Sequence, residues 1–241
     1  MIQRNVPRWS QLSAAAVHLY TASGAVLAFL MVLAAIQGNA VQALWISLFT
    51  LVIDGTDGML ARRFRVSEML PWFDGRKLDD IVDYLTYVFA PVLLIWQLGL
   101  LPGGIAGMMI AALPLLASSY QFCRVDAKTD DHFFLGFPSY WNVIAFYAIV
   151  LNLSPSTVGV VLIFWSLMVF VPIRYLYPTR TESFRSTTLT LSALWLLSFI
   201  VILVQMPTPN TLLVNVSLLY IVYYVVLSLY MTYRTMRSQK I

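Results

Sequence analysis

Long apolar stretches alternate with short polar and charged clusters along almost the whole of the 241-residue chain. A helix rising 1.5 Å per residue needs about 20 apolar residues to cross a hydrocarbon core. Windows of that kind predict helices near 13–37, 40–60, 80–100, 103–123, 139–152, 156–176, 187–205 and 210–232. The pattern therefore predicts an all-α, polytopic membrane helix bundle of about eight transmembrane helices, with residues 1–241 as a single membrane-embedded domain. The 139–152 window is short for a span and the 40–60 window runs into its own polar motif, so seven helices is the alternative count.

Composition agrees with this picture, since 60% of residues are hydrophobic, 11% are charged and the mean hydropathy is +0.78. The N-terminal apolar run is long and has no evident cleavage site, so it reads as a first spanning helix and not as a removed signal peptide. No repeat or low-complexity tract is evident. Cys123 is the single cysteine, which excludes an intramolecular disulfide and a thiolate metal cluster.

The distribution of charge sets an orientation. In an eight-helix arrangement all 15 Lys and Arg residues fall on one side, at Arg4 and Arg8, Arg62 to Lys77, Arg124 and Lys128, Arg174 to Arg185, and Arg234 to Lys240. The opposite connections, near 37–39, 101–104, 152–156 and 205–210, carry none. The positive-inside rule then puts both termini in the cytoplasm and favours the even helix count. The net charge of +4 reads as topology plus attraction to anionic lipid headgroups, and the basic residues are too sparse for a nucleic-acid site.

Against this apolar background, Asp54 to Asp83 is anomalous. An ionised Asp near a bilayer centre costs about 2.5–3.5 kcal/mol even on the lenient insertion scale. Asp54 and Asp57 are three apart, and Asp79 and Asp83 four apart, so each pair projects from one face of a helix. A short basic connection joins the two segments, which forces them antiparallel and lets four carboxylates converge. Such a cluster needs protons or cations, and hard oxygen ligands suit Mg2+ or Mn2+, which in turn hold phosphates. Gly55, Gly58 and Ala61 let a ligand approach the backbone, and Arg62 stands where it can take a phosphate. Glycines that only tighten helix packing are the competing explanation for each small residue. Asp80 lies about 100° round the helix from Asp79 and is assigned to the helix end or solvent.

The residues Asp54, Asp57, Gly58, Ala61 and Arg62, followed by Gly75, Asp79 and Asp83, match the signature D-x-x-D-G-x-x-A-R…G-x-x-x-D-x-x-x-D. In this the chain resembles the CDP-alcohol phosphatidyltransferases. The spacer Arg63 to Asp74 is longer than the family's common form and is similar to that of the bacterial branch using choline as acceptor. The likeness extends through HLYTASGA, VSEMLPWFDG, LDDIVDYLTYVFAP, GFPSYWN and VPIRYLYPTR, which together cover most of the chain.

The resemblance implies a membrane transferase of phospholipid biosynthesis that moves the phosphatidyl group from CDP-diacylglycerol to choline, giving phosphatidylcholine and CMP. It implies a divalent metal, Mn2+ or Mg2+ and two ions, held by Asp54, Asp57, Asp79 and Asp83, with Asp83 also taking the proton of the choline hydroxyl. Gly58, Ala61, Arg62 and Gly75 would receive CDP-diacylglycerol, with Thr21, His18 and Arg174 as further candidates. His18 is equally a candidate for a purely structural hydrogen bond, and Arg174, Arg180 and Arg185 for topology alone. Choline has no N–H to donate and asks for aromatic faces. Tyr84, Tyr87, Tyr140 and Trp141 are the cage candidates, with interfacial packing as the competing explanation. The acidic segment Asp126, Asp130, Asp131 and His132 reads as a solvated loop. The expected setting is the bacterial inner membrane, with membrane lipids as surroundings, no nucleic-acid partner and a homodimer as one assembly. The alternatives are a sibling transferase using serine, inositol or glycerol phosphate, and a cation-coupled transporter.

Overall fold

In lipid every backbone N–H and C=O has to be satisfied within its own segment, so the long apolar runs become helices. A computed structural model describes residues 8–238; Arg4 and Lys240, counted above among the cytoplasmic basic residues, lie outside them. Helices α1 (Arg8–Ile36) and α2 (Ala40–Arg63) form an antiparallel pair. The turn between them uses Gly38 at φ +71, and Asn39 caps α2 by accepting from the Gln42 N–H at 3.1 Å. After a single turn, α3 (Val66–Met69), the chain re-enters through α4 (Gly75–Asp83), whose first N–H groups are capped by Asp74.

From α4 the helix continues through a π-helical segment, Tyr84–Phe89, into α5 (Ala90–Gln97). Pro91 lies just beyond that segment and supplies the reason for it. Proline has no N–H to donate and its ring crowds the carbonyl four residues back, so the preceding turn opens. The widened turn begins immediately after Asp83.

Helices α6 (Gly104–Cys123), α7 (Trp141–Val150), α8 (Pro155–Met168), α9 (Arg185–Val204) and α10 (Thr211–Ser238) complete the bundle. Among the described residues five helices, α1, α2, α6, α9 and α10, are long and apolar enough to cross a membrane. The others differ from expectation in instructive ways. The window at 139–152 yields a helix of only 10 residues, about 15 Å long. Its approach, Phe137 to Tyr140, is non-helical, and Phe137, Ser139 and Trp141 are buried in protein, where irregular backbone at membrane depth is tolerated. The window at 156–176 stops being helical at Met168. Pro172 lies within the apolar stretch that follows, and the chain turns there into a strand.

That strand, β2 (Arg174–Leu176), pairs antiparallel with β1 (Phe133–Leu135) in the α6–α7 connection. The sheet is a small exception to the all-α expectation, and it ties two of the basic connections together. The acidic segment is correspondingly ordered. Asp126 pairs with Arg124 at 2.7 Å, Asp131 pairs with Arg174, and Asp130 faces solvent. The hydrogen bond from Arg124 is the main influence that lowers the Asp126 carboxyl pKa below its ordinary value.

Helix α1 is the hub, packing against α2 on one side and α3, α4 and α5 on the other. One core gathers Met31, Ala35, Leu44, Leu94, Phe146 and Phe199, and a second gathers Val88, Ile95, Trp141, Leu162, Tyr175 and Leu176. Gly24 sets how closely α1 meets α4, because a Cβ there would fall 2.5 Å from Val82 Cγ1. Valine is stiff at χ1 and cannot swing clear. Gly24→Ala is expected to overpack this contact by about 1–3 kcal/mol. The measurement is the thermal midpoint in detergent, which should fall for Gly24→Ala and recover in the double variant with Val82→Ala.

Candidate functional site

The tight α1–α4 contact brings α2 and α4 to the two sides of one small cavity. Asp54, Asp57, Val82, Asp83 and Thr86 line it, with Gly24 and Thr50. Asp54, Asp57 and Asp79 each present an oxygen, all within 4.8 Å of one another. Asp83 faces the same cavity, one turn deeper than Asp79, but stands outside that triad.

Neutral donors hold two of these carboxylates. Thr21 on α1 donates to Asp57 Oδ2 at 2.9 Å, and Tyr87 in the π-helical segment donates to Asp54 Oδ2 at 2.6 Å. Among the described residues no Lys or Arg nitrogen lies within the 4.0 Å ion-pair limit of Asp54, Asp57, Asp79 or Asp83. At an effective dielectric of about 20, two unit charges no more than 4.8 Å apart repel by at least about 3 kcal/mol. Asp57 is only 6% exposed, so water does little to relieve this. An all-oxygen donor set with uncompensated negative charge fits a hard divalent cation.

The remaining expected residues divide. Arg62 is exposed on α2 and lies back over Gly58, with its Nη1 3.4 Å from where a Cβ at Gly58 would stand. Ala61 packs beside Ala14, Val17 and Val66. Gly75 serves a close approach, since a Cβ would stand 2.7 Å from His18 Cε1. The His18 ring lies 4.3 Å from that of Phe73, and its Nε2 is buried without a partner. Thr21, expected near the nucleotide, directs its hydroxyl to Asp57. Arg174 is committed to Asp131 and to the face of Phe133 at 4.7 Å.

The four cage candidates also separate. The Tyr84 hydroxyl donates to the Leu115 carbonyl and its ring stands edge-on to Phe122, and the Trp141 indole, fully buried, donates to Ser118 at 2.7 Å. Both are thus tied by hydrogen bonds to α6. Tyr87 and Tyr140 are different: the Tyr87 hydroxyl reaches Asp54, the Tyr140 ring centroid lies 6.1 Å from that of Tyr87, and Tyr224 on α10 lies 6.1 Å beyond Tyr140. Tyr224 was invisible to motif reading because it comes from a helix some 140 residues downstream of the carboxylates.

Lys128 was also missed. It lies in the α6–α7 connection, with Nζ 4.0 Å from Asp80 Oδ1. Burial alone would lower its ammonium pKa, yet the negative potential of Asp79, joined by Tyr177, Asp80 and Asp83, holds it above the ordinary value. Nothing in the spacing of the motif signals a cation 45 residues beyond Asp83.

The comparisons with known proteins agree with the motif. The family model described as CDP-alcohol phosphatidyltransferase matches residues 16–173. A protein of Legionella pneumophila named phosphatidylcholine synthase is 40% identical over 232 residues, covering 93% of this chain and 91% of that protein. Proteins of the same name from Legionella bozemanae and Pseudomonas aeruginosa are similar too. The first is 40% identical over 82% of this chain and 94% of its own, the second 39% identical over 79% and 80%.

Thr21 provides a test of the site that does not depend on the reaction. Thr21→Val keeps the shape and removes the hydrogen bond that orients Asp57. Loss of such an outer-shell partner is expected to weaken metal affinity about 10- to 100-fold. Calorimetric titration of the purified protein with Mn2+ measures it.

Proposed function

The chain belongs to the CDP-alcohol phosphatidyltransferase family, and we propose that it transfers the phosphatidyl group of CDP-diacylglycerol to choline, releasing phosphatidylcholine and CMP. The family is metal-dependent, and the observation that carries the reading is the convergence of Asp54, Asp57 and Asp79 at the cavity that Asp83 also faces. The choline-using relatives support the acceptor, since two of them are 40% identical over most of both chains.

In this reading the choline hydroxyl oxygen attacks the lipid-bearing phosphorus. The bond from that phosphorus to the bridging oxygen breaks, and CMP departs with the bridging oxygen and its electron pair. The hydroxyl proton passes to the Asp83 carboxylate, which sits deep in the cavity and is free of the Asp54–Asp57–Asp79 triad. Asp54, Asp57 and Asp79 would hold the metal, with Asp83 as a further ligand for a second ion. When bound, Mn2+ or Mg2+ would neutralise charge on the diphosphate and on the departing CMP.

On the donor side, Arg62 takes a phosphate oxygen while Gly58 and Ala61 leave room for ribose and cytosine. Gly75, His18 and Thr21 shape the α1 wall of the same pocket. Arg174, bound to Asp131, holds the cytoplasmic sheet in this reading. For choline the proposal keeps Tyr87, whose hydroxyl reaches Asp54, and Tyr140, whose ring neighbours that of Tyr87, and leaves Tyr84 and Trp141 to packing. An aromatic face beside a carboxylate suits a quaternary ammonium, which carries charge without a hydrogen-bond donor.

The whole chain acts here as one membrane-embedded domain in a bacterial inner membrane with both termini cytoplasmic. The support is that the described Lys and Arg residues lie at helix ends and connections tied by the β1–β2 sheet and the Lys128–Asp80 contact. Outward apolar side chains such as Leu19, Phe29, Leu197 and Val222 would meet membrane lipid or a second copy in a homodimer.

The test is CMP release from CDP-diacylglycerol by purified protein with Mn2+ or Mg2+, offering choline, serine, inositol or glycerol 3-phosphate. Choline should support turnover, and Asp83→Asn should lower kcat about 10²- to 10⁴-fold, as expected for loss of a general base. Turnover with another alcohol alone would overturn the choline assignment and leave the transferase chemistry standing.

A further inference from the structure

Lys128 belongs to no family motif and has no part in the reaction as described. The backbone around it is nevertheless built to hold it in place. It forms an antiparallel bridge with Phe134. The Thr129 N–H donates to the Phe133 carbonyl and the Leu135 N–H to the Ala127 carbonyl, both at 2.9 Å. The segment is closed at one end by the Arg124–Asp126 pair and beyond it by the β1–β2 sheet. A lysine on an unconstrained loop would sample solvent; this one is aimed back at α4.

Its partner there is weak. The Lys128–Asp80 separation is 4.0 Å, and the two side chains are 52% and 40% exposed. Exposed pairs at that distance contribute little and exchange readily. The Lys128 charge acts as well on Asp54, Asp79 and Asp83. The ammonium is therefore poised above the carboxylate cluster without being consumed by it, on a different element from Arg62.

Charge counting gives it a task. In the two-ion reading, four carboxylates match the two divalent cations. A diphosphate then adds two negative charges to a poorly solvated site, and Arg62 answers only one of them. We infer that Lys128 is a second phosphate-contacting residue, resting on Asp80 while the donor is absent and exchanging it for a diphosphate oxygen when a CDP-lipid binds. The inference rests on the transferase reading of this site but not on choline as acceptor.

Three variants of the full-length protein test it, with two readouts. Lys128→Gln is expected to raise KM for CDP-diacylglycerol and to weaken binding of CDP in the presence of Mn2+ about tenfold, the size of one charge-assisted hydrogen bond, without raising KM for choline. Asp80→Asn removes only the resting partner and should leave donor affinity unchanged or improved. Lys128→Met carries the same expectation as Lys128→Gln should the amide loosen the loop. Equal losses in Lys128→Gln and Asp80→Asn would reduce Lys128 to a structural tether and overturn the inference, as would wild-type CDP affinity in Lys128→Gln. CDP binding needs no acceptor, so a wild-type protein that binds CDP and fails to use choline would overturn the acceptor and leave this inference intact.

Discussion

Mutual repulsion among carboxylates in a poorly hydrated cavity is the constraint around which this molecule is arranged. Asp54, Asp57 and Asp79 offer oxygens within 4.8 Å of one another, and Asp83 faces the same space. No folding gain comes from holding like charges together in low dielectric. The hydroxyls of Thr21 and Tyr87 orient Asp57 and Asp54 but bring no positive charge. The arrangement needs protons or a cation as its counterpart, and its convergent all-oxygen donor set is why the bundle reads as a metal-dependent enzyme and not as a scaffold.

Helix α1 makes the crowding achievable. It lies between α2 and α4, contributes Thr21 to one carboxylate, and through Gly24 and Gly75 allows α4 to come closer than any side chain would permit. On the far side the π-helical turn forced by Pro91 begins right after Asp83 and carries Tyr87, whose hydroxyl reaches Asp54. Local backbone irregularity and the position of a site residue are thus the same feature.

The basic connections between helices are the second layer of the design. Two of them are sewn together by three-residue strands, and the ion pairs Arg124–Asp126 and Arg174–Asp131 fasten the edges. An acidic, basic segment that would be free in solution becomes a frame that presents Lys128 to α4 and Tyr177 beside it. The membrane-embedded helices supply negative charge, and this frame supplies a positive one from outside.

The sequence by itself determined the membrane class, the approximate spans and the carboxylate motif. These follow from one-dimensional rules: hydropathy over about 20 residues and helical spacing of three and four between acids. The start of α2 at Ala40 was legible, whereas α4, capped by Asp74, begins five residues before the expected 80–100 window. Only the tertiary structure decided the rest. That Arg174 begins a strand depends on pairing with β1, which lies some forty residues earlier. That Tyr84 and Trp141 pack against α6 while Tyr87 reaches Asp54 depends on how helices rotate against their neighbours, which apolar runs on every face leave open. Lys128 reaches Asp80, and Tyr224 reaches Tyr140, across long stretches of chain, by contacts that no local pattern encodes. Periodicity along the chain specifies what a segment is; which segments meet, and which of their faces, is settled by three-dimensional packing.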